Sequence, residues 1–186
     1  MLTATVLGCP LALETAPALF SPNHIDRGTL AMLSRATFAP GMKVLDLGCG
    51  CGVVGIVAAL KCGAENVTLC DIDPAAVSIA QKNALRNGAG GVRVILSDGL
   101  KQIEDTGFDL ILSNPPYQSD FAVAKAFIEK GFNRLKIGGC MMMVTKRREW
   151  YKQKLIHIFG GVKIEETDGY FVFTAQKRDA KYAGKK

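Results

Sequence analysis

The chain has 186 residues, of which 48% are hydrophobic and 22% charged, a composition that fits one globular α/β domain and leaves no room for a second full domain. Because no apolar run reaches the ~18 residues of a membrane span and residues 1–13 lack the basic start of a signal peptide, we expect a cytoplasmic protein with no membrane partner. The six cysteines fall within strand, loop and helix patterns, which predicts free thiols, and no second Cys or His pair stands at ligand spacing from Cys49 and Cys51, so no metal site is predicted.

Positive charge is concentrated in the last third of the chain. The net charge is +6, but residues 1–124 carry 8 Lys and Arg against 11 Asp and Glu, whereas residues 125–186 carry 15 against 6. This asymmetry indicates either a solvated basic face with a disordered basic tail over 178–186, or a surface for a polyanion, most commonly nucleic acid. The run Lys146-Arg147-Arg148 has the same two interpretations, a solvated helix start or a contact to an RNA backbone.

Residues 1–28 precede the regular part of the pattern. Short strand-like runs at 3–7 and 11–15 are separated by Gly8-Cys9-Pro10, which predicts a small hairpin. A polar loop interrupted by Pro and Gly follows over 20–29, and a helix is expected over 29–36. Taken alone, that loop is a simple connector.

From residue 43 onward strands and helices alternate, so the main domain is predicted over 29–177 as an α/β fold with a mostly parallel sheet. Asp73 followed by Pro74 marks a helix start, and the pair Gly138-Gly139 marks a helix end. Asp168-Gly169 between two apolar runs predicts a closing antiparallel hairpin. The predicted strands cover 43–47, 66–70, 92–96, 108–112, 140–145, 162–167 and 170–175, and the predicted helices cover 53–62, 74–87, 119 or 120 to 136, and 149–159.

The chain is organised around residues 44–52, where an apolar strand leads into a loop with glycine at every second position. Glycine removes the Cβ atoms that would keep a ligand away from the backbone, and the helix that follows presents unpaired N–H groups. Residues 50–55 also satisfy the dinucleotide fingerprint, with Asp71 near the spacing expected for a ribose diol. Asp46 argues against a dinucleotide, because its charge would repel a pyrophosphate but attract an amino or sulfonium cation.

Polar side chains stand at the ends of four predicted strands, where an open parallel sheet binds its ligands. S-adenosylmethionine fits this arrangement, with its cationic methionine part near Asp46, its ribose hydroxyls on Asp71 and its adenine amino group near Asp98. Each carboxylate also has a structural interpretation. Asp46 could cap the loop, and Asp98, which precedes Gly99, could be a turn residue.

The motif Ser113-Asn114-Pro115-Pro116-Tyr117 is the most specific in the chain. Two prolines stiffen the backbone and lack N–H donors, so the carbonyls and the Asn114 side-chain oxygen present acceptors that suit an NH₂ group. Holding both amine hydrogens would turn the nitrogen lone pair toward an electrophilic methyl group, and Tyr117 could stack on the ring that carries the amine. The alternative is a proline-rich turn with a core tyrosine.

These residues resemble the class I S-adenosylmethionine-dependent methyltransferases, in the branch that methylates exocyclic or amide nitrogens. Phe20-Ser21, Asp26-x-Gly28-Thr29, the Asn114 motif and Gly169-Tyr170-Phe171-Val172 further resemble the small-domain ribosomal RNA guanine-N2 methyltransferases of the small subunit methyltransferase C type. The resemblance implies a Rossmann-like methyltransferase fold of seven strands in the order 3-2-1-4-5-7-6, with helices on both faces. It also implies that residues 26–29 form a lid over the cofactor site.

The expected activity is direct transfer of a methyl group from S-adenosylmethionine to a base amine in RNA, with guanine N2 of small-subunit ribosomal RNA as the leading target. A flipped or unpaired base would be held without a covalent enzyme intermediate. RNA, as ribosomal RNA or a ribosomal subunit, is the expected partner. The predicted catalytic residues are Asn114, Pro115, Pro116 and Tyr117, and the predicted cofactor residues are Asp46, Gly48, Cys49, Gly50, Asp71, Ile72, Asp98, Gly99 and Asn114.

Three other functions remain open at this point. Protein-glutamine methyltransferases share the Asn-Pro-Pro-Tyr motif but resemble proteins with an added N-terminal helical domain. DNA-adenine enzymes usually carry a target-recognition insertion, and no segment here is long enough. A non-catalytic RNA-binding assembly factor could keep a nucleoside pocket, although the intact Asp46, Asp71 and Asn114 speak against it.

Overall fold

The computed structural model of the protein describes residues 1–16, 24–116 and 121–184. It contains a small two-stranded sheet and a seven-stranded sheet. The strands are β1 (Leu2–Val6), β2 (Cys9–Leu13), β3 (Val44–Leu47), β4 (Val67–Asp71), β5 (Arg93–Leu96), β6 (Phe108–Ser113), β7 (Leu135–Thr145), β8 (Lys163–Thr167) and β9 (Tyr170–Gln176). The helices are α1 (Arg27–Leu33), α2 (Val53–Cys62), α3 (Pro74–Arg86), α4 (Phe121–Arg134) and α5 (Arg148–Phe159), with a short 3₁₀ turn at Ala64–Asn66.

The large sheet has the order β5-β4-β3-β6-β7-β9-β8. The first five of these strands pair in parallel, whereas β9 pairs antiparallel with both β7 and β8. Numbered along the sheet's own strands, this is 3-2-1-4-5-7-6, so the predicted topology and the predicted closing hairpin are confirmed. Parallel strands joined through helices bring the carboxyl ends of β3, β4, β5, β6 and β7 to one edge of the sheet.

Each face of the sheet is covered by helices. One buried cluster includes side chains of α1, α2 and α3, and the other includes side chains of α4 and α5. Neighbouring residues of a strand contribute to opposite clusters, as Leu110 and Ile111 of β6 do, because side chains alternate across a pleated sheet. Within the described ranges, no helix combines the length and apolar character that a bilayer crossing requires.

The N-terminal hairpin forms as predicted, but its turn is shorter than expected. Leu7 and Gly8 both have positive φ, at 49° and 78°, as a two-residue hairpin turn of type I′ requires. Cys9 and Pro10 therefore belong to β2, and Pro10 pairs with Thr5. The predicted separator of residues 8–10 is thus wrong for its last two residues.

Two helix boundaries also differ from the sequence prediction. Helix α1 begins at Arg27 rather than Thr29, because the Asp26 side chain caps it by accepting a hydrogen bond from the Thr29 N–H at 2.9 Å. Helix α4 ends at Arg134, and Gly138 and Gly139 lie inside β7 rather than at a helix end. The predicted start of α4, at residue 119 or 120, lies outside the described residues.

Residues 178–184 pack against helices, which differs from the disorder predicted for the tail. The Tyr182 hydroxyl donates to the carbonyl of Glu129 in α4 at 2.9 Å, and its ring meets Phe132 edge-on. The Gly184 N–H donates to the His157 carbonyl of α5 at 2.9 Å. The partly buried Tyr182 ring and the paired backbone groups therefore hold this segment against α4 and α5 despite its exposed charge. Residues 185 and 186 lie outside the described residues.

Gly55 allows α2 to pack closely on β4, and replacing it with alanine should destabilise the fold. A Cβ at Gly55 would lie 2.3 Å from Leu69 Cγ in the core, so we expect a net loss of about 1–3 kcal/mol in the free energy of unfolding despite the better helix propensity of alanine. Urea denaturation measures this loss. Gly161→Ala is the matched control, because its Cβ would enter open space. Equal unfolding midpoints for the two variants would contradict the packing argument.

Candidate active site

A cavity of about 370 Å³ opens at the carboxyl edge of the sheet, which is within the size range of small-ligand sites. Its walls include the ends of β3, β4 and β6, the start of α1 and one face of α4. All of the predicted site residues that the structure describes lie in these walls, namely Asp46, Gly48, Cys49, Gly50, Asp71, Ile72, Asp98, Gly99, Asn114, Pro115 and Pro116. Tyr117, Phe20 and Ser21 lie outside the described residues.

The glycine-rich loop after β3 is held by the neighbouring strand. The N–H groups of Gly48 and Cys49 both donate to the Cys70 carbonyl of β4, at 2.9 and 3.0 Å. Gly50 has a φ of 53°, and a Cβ there would meet no heavy atom within 4 Å. The loop therefore leaves open space over its backbone, which a ligand could occupy at close range.

Asp46 lies beneath this loop and is only 2% exposed. Its carboxylate accepts a hydrogen bond from the Gly55 N–H of α2 at 2.8 Å, so it binds the first turn of the helix that follows the loop rather than the loop itself. Burial and, to a smaller extent, the nearby charge of Asp71 together raise the pKa of Asp46 to about 7, although the Gly55 hydrogen bond acts in the opposite direction. At neutral pH the carboxyl is therefore poised between its two protonation states, and a cation in the cavity would favour the charged one.

Asp71 at the end of β4 is held by backbone donors on both oxygens. Oδ2 accepts from the Gly50 N–H at 2.8 Å, and Oδ1 accepts from the Asp73 N–H at 3.0 Å. Each carboxylate oxygen can accept a further hydrogen bond, so the side chain is preorganised and still able to receive hydroxyl donors. Asp73 caps α3 through the Ala75 N–H at 2.8 Å, as the sequence predicted.

Asp98 is in a different environment, because its side chain is 55% exposed and pairs with Lys101. This pairing lowers the pKa of the Asp98 carboxyl. The turn around it is rigid, since the Ser97 hydroxyl donates to the Gly99 carbonyl at 2.7 Å. Asp98 is therefore a turn residue, and it also lines the cavity.

Asn114 follows β6, and its side-chain orientation is fixed by α1. Its Nδ2 donates to Asp26 Oδ1 at 2.7 Å and to Thr29 Oγ1 at 3.0 Å. A carboxylate can only accept hydrogen bonds, so the amide nitrogen of Asn114 must face Asp26. The amide oxygen of Asn114 therefore points away from Asp26. The strand end is also secured, because the Ser113 hydroxyl donates to the Leu47 carbonyl at 2.7 Å. The predicted lid residues thus hold the predicted catalytic residue.

Comparison with known proteins agrees with this geometry. The sequence matches the family model of the methyltransferase small domain over residues 10–174. The chain belongs to the methyltransferase small domain family. The match extends from β2 into β9 and so includes every described wall of the cavity except the first strand.

Relatives within this family carry ribosomal RNA methyltransferase names. The ribosomal RNA small subunit methyltransferase C of Pseudomonas putida is 31% identical over 173 residues, covering 90% of this chain and 52% of that protein. The protein of the same name from Proteus mirabilis is 33% identical, with 90% and 51% covered. The chain therefore spans about half the length of the curated relatives it matches.

Solved structures confirm the fold of the small domain. A 16S rRNA N2 methyltransferase from T. thermophilus, determined in complex with AdoMet and guanosine, superposes with a TM-score of 0.85 at 27% identity. That alignment covers 95% of this chain and 50% of the solved one. TrmN from Thermus thermophilus gives a TM-score of 0.69 at 28% identity, covering 81% and 48%.

Phe127 of α4 lines the cavity, although it is not among the site residues predicted from the sequence. A Cβ at Gly99 would lie 3.1 Å from its ring, and a Cβ at Gly48 would lie 3.9 Å from it. The ring thus connects two glycine-containing loops at the cavity. Phe127 and Val123 follow the apolar i, i+4 spacing of a core helix, so the sequence offered no signal that separates a wall residue from a core residue.

Asn83 of α3 was also missed, and it connects the N-terminal hairpin to the glycine-rich loop. It is fully buried, accepts from the Glu14 N–H at 2.7 Å, and donates to the Glu14 and Cys51 carbonyls at 2.9 Å each. One turn further on, Asn87 exchanges two similar bonds with the backbone of Ala12, at 2.8 and 3.0 Å. Two asparagines at i, i+4 on a polar helix end give no sequence signal of such a role.

This pair provides a matched test of how the loop is supported. We expect Asn83→Ala to accelerate amide hydrogen exchange both in residues 12–14 and in the loop 48–55, because it leaves the Cys51 carbonyl and the Glu14 backbone without their buried partner. Asn87→Ala should accelerate exchange only in the hairpin. Hydrogen exchange followed by mass spectrometry distinguishes the two segments. An unchanged loop in Asn83→Ala would show that Asn83 supports the hairpin alone.

The cysteines near the loop are structural. Burial raises the pKa of the Cys49 and Cys51 thiols, and it raises that of Cys70 to about 12, so the thiolate forms that react and bind metals are disfavoured. All six cysteines are free thiols. Among the described residues no three His, Cys, Asp or Glu side chains form a group that could hold a metal ion.

Proposed function

We propose that this chain transfers the methyl group of S-adenosylmethionine to an exocyclic amine of a base in RNA, with N2 of guanine in small-subunit ribosomal RNA as the target. The observation that carries this proposal is the Asn114 amide, fixed by Asp26 and Thr29 at the same cavity as the glycine-rich loop. The relatives named ribosomal RNA small subunit methyltransferase C support the RNA target, as does the neighbour determined with AdoMet and guanosine.

The residues of the cavity fit S-adenosylmethionine. The open space above Gly50 can receive the methionine part beside Asp46, whose poised carboxyl suits a cationic ligand. Asp71, held by its two backbone donors, is assigned to the ribose hydroxyls. The exposed Ile72 side chain and the Gly99 backbone would flank the adenine.

Asn114 and the Pro115 carbonyl are assigned to the acceptor amine. The amide oxygen of Asn114 and the carbonyl would each accept one amine hydrogen, which directs the nitrogen lone pair away from both acceptors and into the cavity. Bound S-adenosylmethionine would supply a methyl group already activated by its sulfonium charge. The chain's own contribution is thus orientation and exclusion of water, and Tyr117 stays a predicted stacking residue.

The test is methyl transfer with labelled S-adenosylmethionine to small ribosomal subunits, naked 16S rRNA, DNA and a glutamine-containing peptide. We expect label in RNA, recovered as N2-methylguanosine after digestion to nucleosides. Label in DNA or in the peptide instead would favour one of the alternative N-methyltransferases. Tight binding of S-adenosylmethionine without transfer to any RNA would favour a non-catalytic RNA-binding factor.

A further inference from the structure

Three consecutive cations follow β7 at the same edge of the sheet as the active site. Strands β6 and β7 are parallel neighbours, with Ser113 opposite Met143. Lys146 comes three residues after Met143, as Pro116 comes three residues after Ser113. The exposed Lys146, Arg147 and Arg148 therefore stand beside the segment that carries Asn114.

Each of these cations lies over an aromatic ring. The Lys146 Nζ is 4.8 Å from the Tyr170 ring centre, the Arg147 guanidinium is 5.1 Å from that of Phe121, and the Arg148 guanidinium is 6.0 Å from that of Phe171. Such contacts restrict a long side chain without neutralising its charge. The three cations and their three rings are called the 146–148 surface below.

Within the described part of the chain, acids match only one of these three charges. Arg148 pairs with Glu149, but no Asp or Glu of the described residues lies within ion-pair distance of Lys146 or Arg147. By contrast, Lys43 and Arg93 both form ion pairs with Asp105. The 146–148 surface therefore carries positive charge next to the cavity that no acid of the described residues compensates.

An aromatic platform adjoins these charges. Phe121 stacks on Trp150 with ring centres 4.3 Å apart and an angle of 14° between the rings, and Arg147 lies over Phe121. Both rings are partly exposed. Cations next to stacked, partly exposed rings are the combination that binds single-stranded nucleic acid, through phosphates and unstacked bases respectively.

We infer that the 146–148 surface binds the phosphate backbone of the single-stranded RNA segment that flanks the methylated base. This inference rests on the proposed RNA methyltransferase function and states where the substrate strand runs. Lys146 and Arg147 contact phosphates, and the Phe121–Trp150 pair stacks a neighbouring base. The surface thereby brings the target base to Asn114 by holding its neighbours.

The test compares two double variants that remove the same charge. Lys146→Ala/Arg147→Ala changes the 146–148 surface. The control, Arg178→Ala/Lys181→Ala, removes two exposed cations from the opposite edge of the large sheet. At that edge the backbone of Lys177 hydrogen-bonds to Gly138 and Gly139 in the first half of β7. Circular dichroism and thermal unfolding establish that both variants fold.

Binding of a fluorescein-labelled single-stranded RNA is measured at several salt concentrations. We expect the 146–147 variant to bind at least about 10-fold more weakly at low salt, with a slope of log K against log salt shallower by about 1.4, the value for two lost phosphate contacts. The 178–181 variant should retain the affinity and slope of the parent to within about 2-fold. The inference would be overturned if both variants lost RNA affinity equally, or if neither variant lost it.

Trp150 is the only tryptophan of the chain, so its fluorescence reports directly on this surface. We expect single-stranded RNA to quench it in the parent and in the 178–181 variant. RNA binding that leaves the emission unchanged would contradict a strand path over Trp150. The inference would also be overturned if double-stranded DNA quenched Trp150 as strongly as single-stranded RNA does and gave the same salt slope. Such a result would indicate a general polyanion site.

Failure of this inference can be distinguished from failure of the proposed function. S-adenosylmethionine binding and methyl transfer to free guanosine should be equal in the parent and in the 146–147 variant, because neither involves the flanking strand. If the parent neither binds S-adenosylmethionine nor methylates RNA, the proposed function is wrong. If the parent methylates RNA and the 146–147 variant does so with unchanged KM and salt dependence, only the docking surface is wrong.

Discussion

Asn114→Ala should lower the rate of methyl transfer by at least about 100-fold while affecting S-adenosylmethionine affinity far less. Two hydrogen bonds fix the amide, to Asp26 Oδ1 at 2.7 Å and to Thr29 Oγ1 at 3.0 Å. Alanine removes an acceptor for the amine, so the nitrogen is no longer oriented for transfer. Single-turnover transfer with saturating cofactor measures the rate, and calorimetry measures the affinity.

Thr29→Val provides a graded control for the same interaction. It removes one of the two acceptors that orient Asn114 and leaves the Thr29 N–H bonded to Asp26. We expect a smaller loss, roughly 10-fold, with cofactor binding unchanged. Full transfer by Asn114→Ala with normal cofactor binding would refute the positioning role.

Asp46→Asn should change how both stability and cofactor affinity depend on pH. Because burial raises the pKa of Asp46 to about 7 from 3.8, the folded state holds this proton more tightly than the unfolded chain. The contribution of the protonated Asp46 carboxyl to the stability of the fold is complete below about pH 4 and is lost as the pH rises through about 7. Relative to Asp46→Asn, the free energy of unfolding of the unliganded parent should therefore fall by roughly 4 kcal/mol over this range.

Asparagine is nearly isosteric and can still accept the hydrogen bond from the Gly55 N–H, so the variant should fold. Denaturation at a series of pH values measures the difference. Asp168→Asn removes the same charge in the exposed turn between β8 and β9, where asparagine tolerates the φ of 51°. Because this control variant retains Asp46, it should show the same fall in stability with rising pH as the parent.

The same carboxyl predicts the pH dependence of cofactor binding. A cationic ligand favours ionised Asp46, so S-adenosylmethionine affinity of the parent should rise with pH below about 7, by up to about 10-fold per unit. In Asp46→Asn the affinity should be lower and nearly constant. Asp71 is the other carboxylate that faces Asp46, and it is present in both proteins. A pH-independent affinity of the parent between pH 5 and 7 would contradict this role.

Most of the sheet could be predicted because its signals are local. Short apolar runs, the Asp73-Pro74 helix start and the Asp168-Gly169 turn each depend on a few neighbouring residues. The errors arose where another part of the chain decides the outcome. Residues 135–139 continue β7 because Phe108 and the Lys177 backbone pair with them, whereas the local glycines indicated a helix end.

The site was predictable in its residue types and unpredictable in its interactions. Strand-end positions were enough to place Asp71 and Asn114 at one cavity. Asp26 and Asn114 are 88 residues apart, and Asn83 and Cys51 are 32 apart, so nothing in either local sequence indicates these bonds. They exist only once α1 and α3 are docked on the sheet.

The family resemblance implied the strand order, whereas the sequence by itself determined the strands, the closing hairpin and the glycine-rich loop with its strand-end carboxylates. Turn chemistry and apolar periodicity encode those features residue by residue. Only the tertiary structure decided that the Asp46 carboxyl is poised near neutral pH and that α1 fixes the Asn114 amide. Burial and long-range hydrogen bonds are properties of the assembled fold, because they depend on which distant groups exclude water and which donors come within 3 Å.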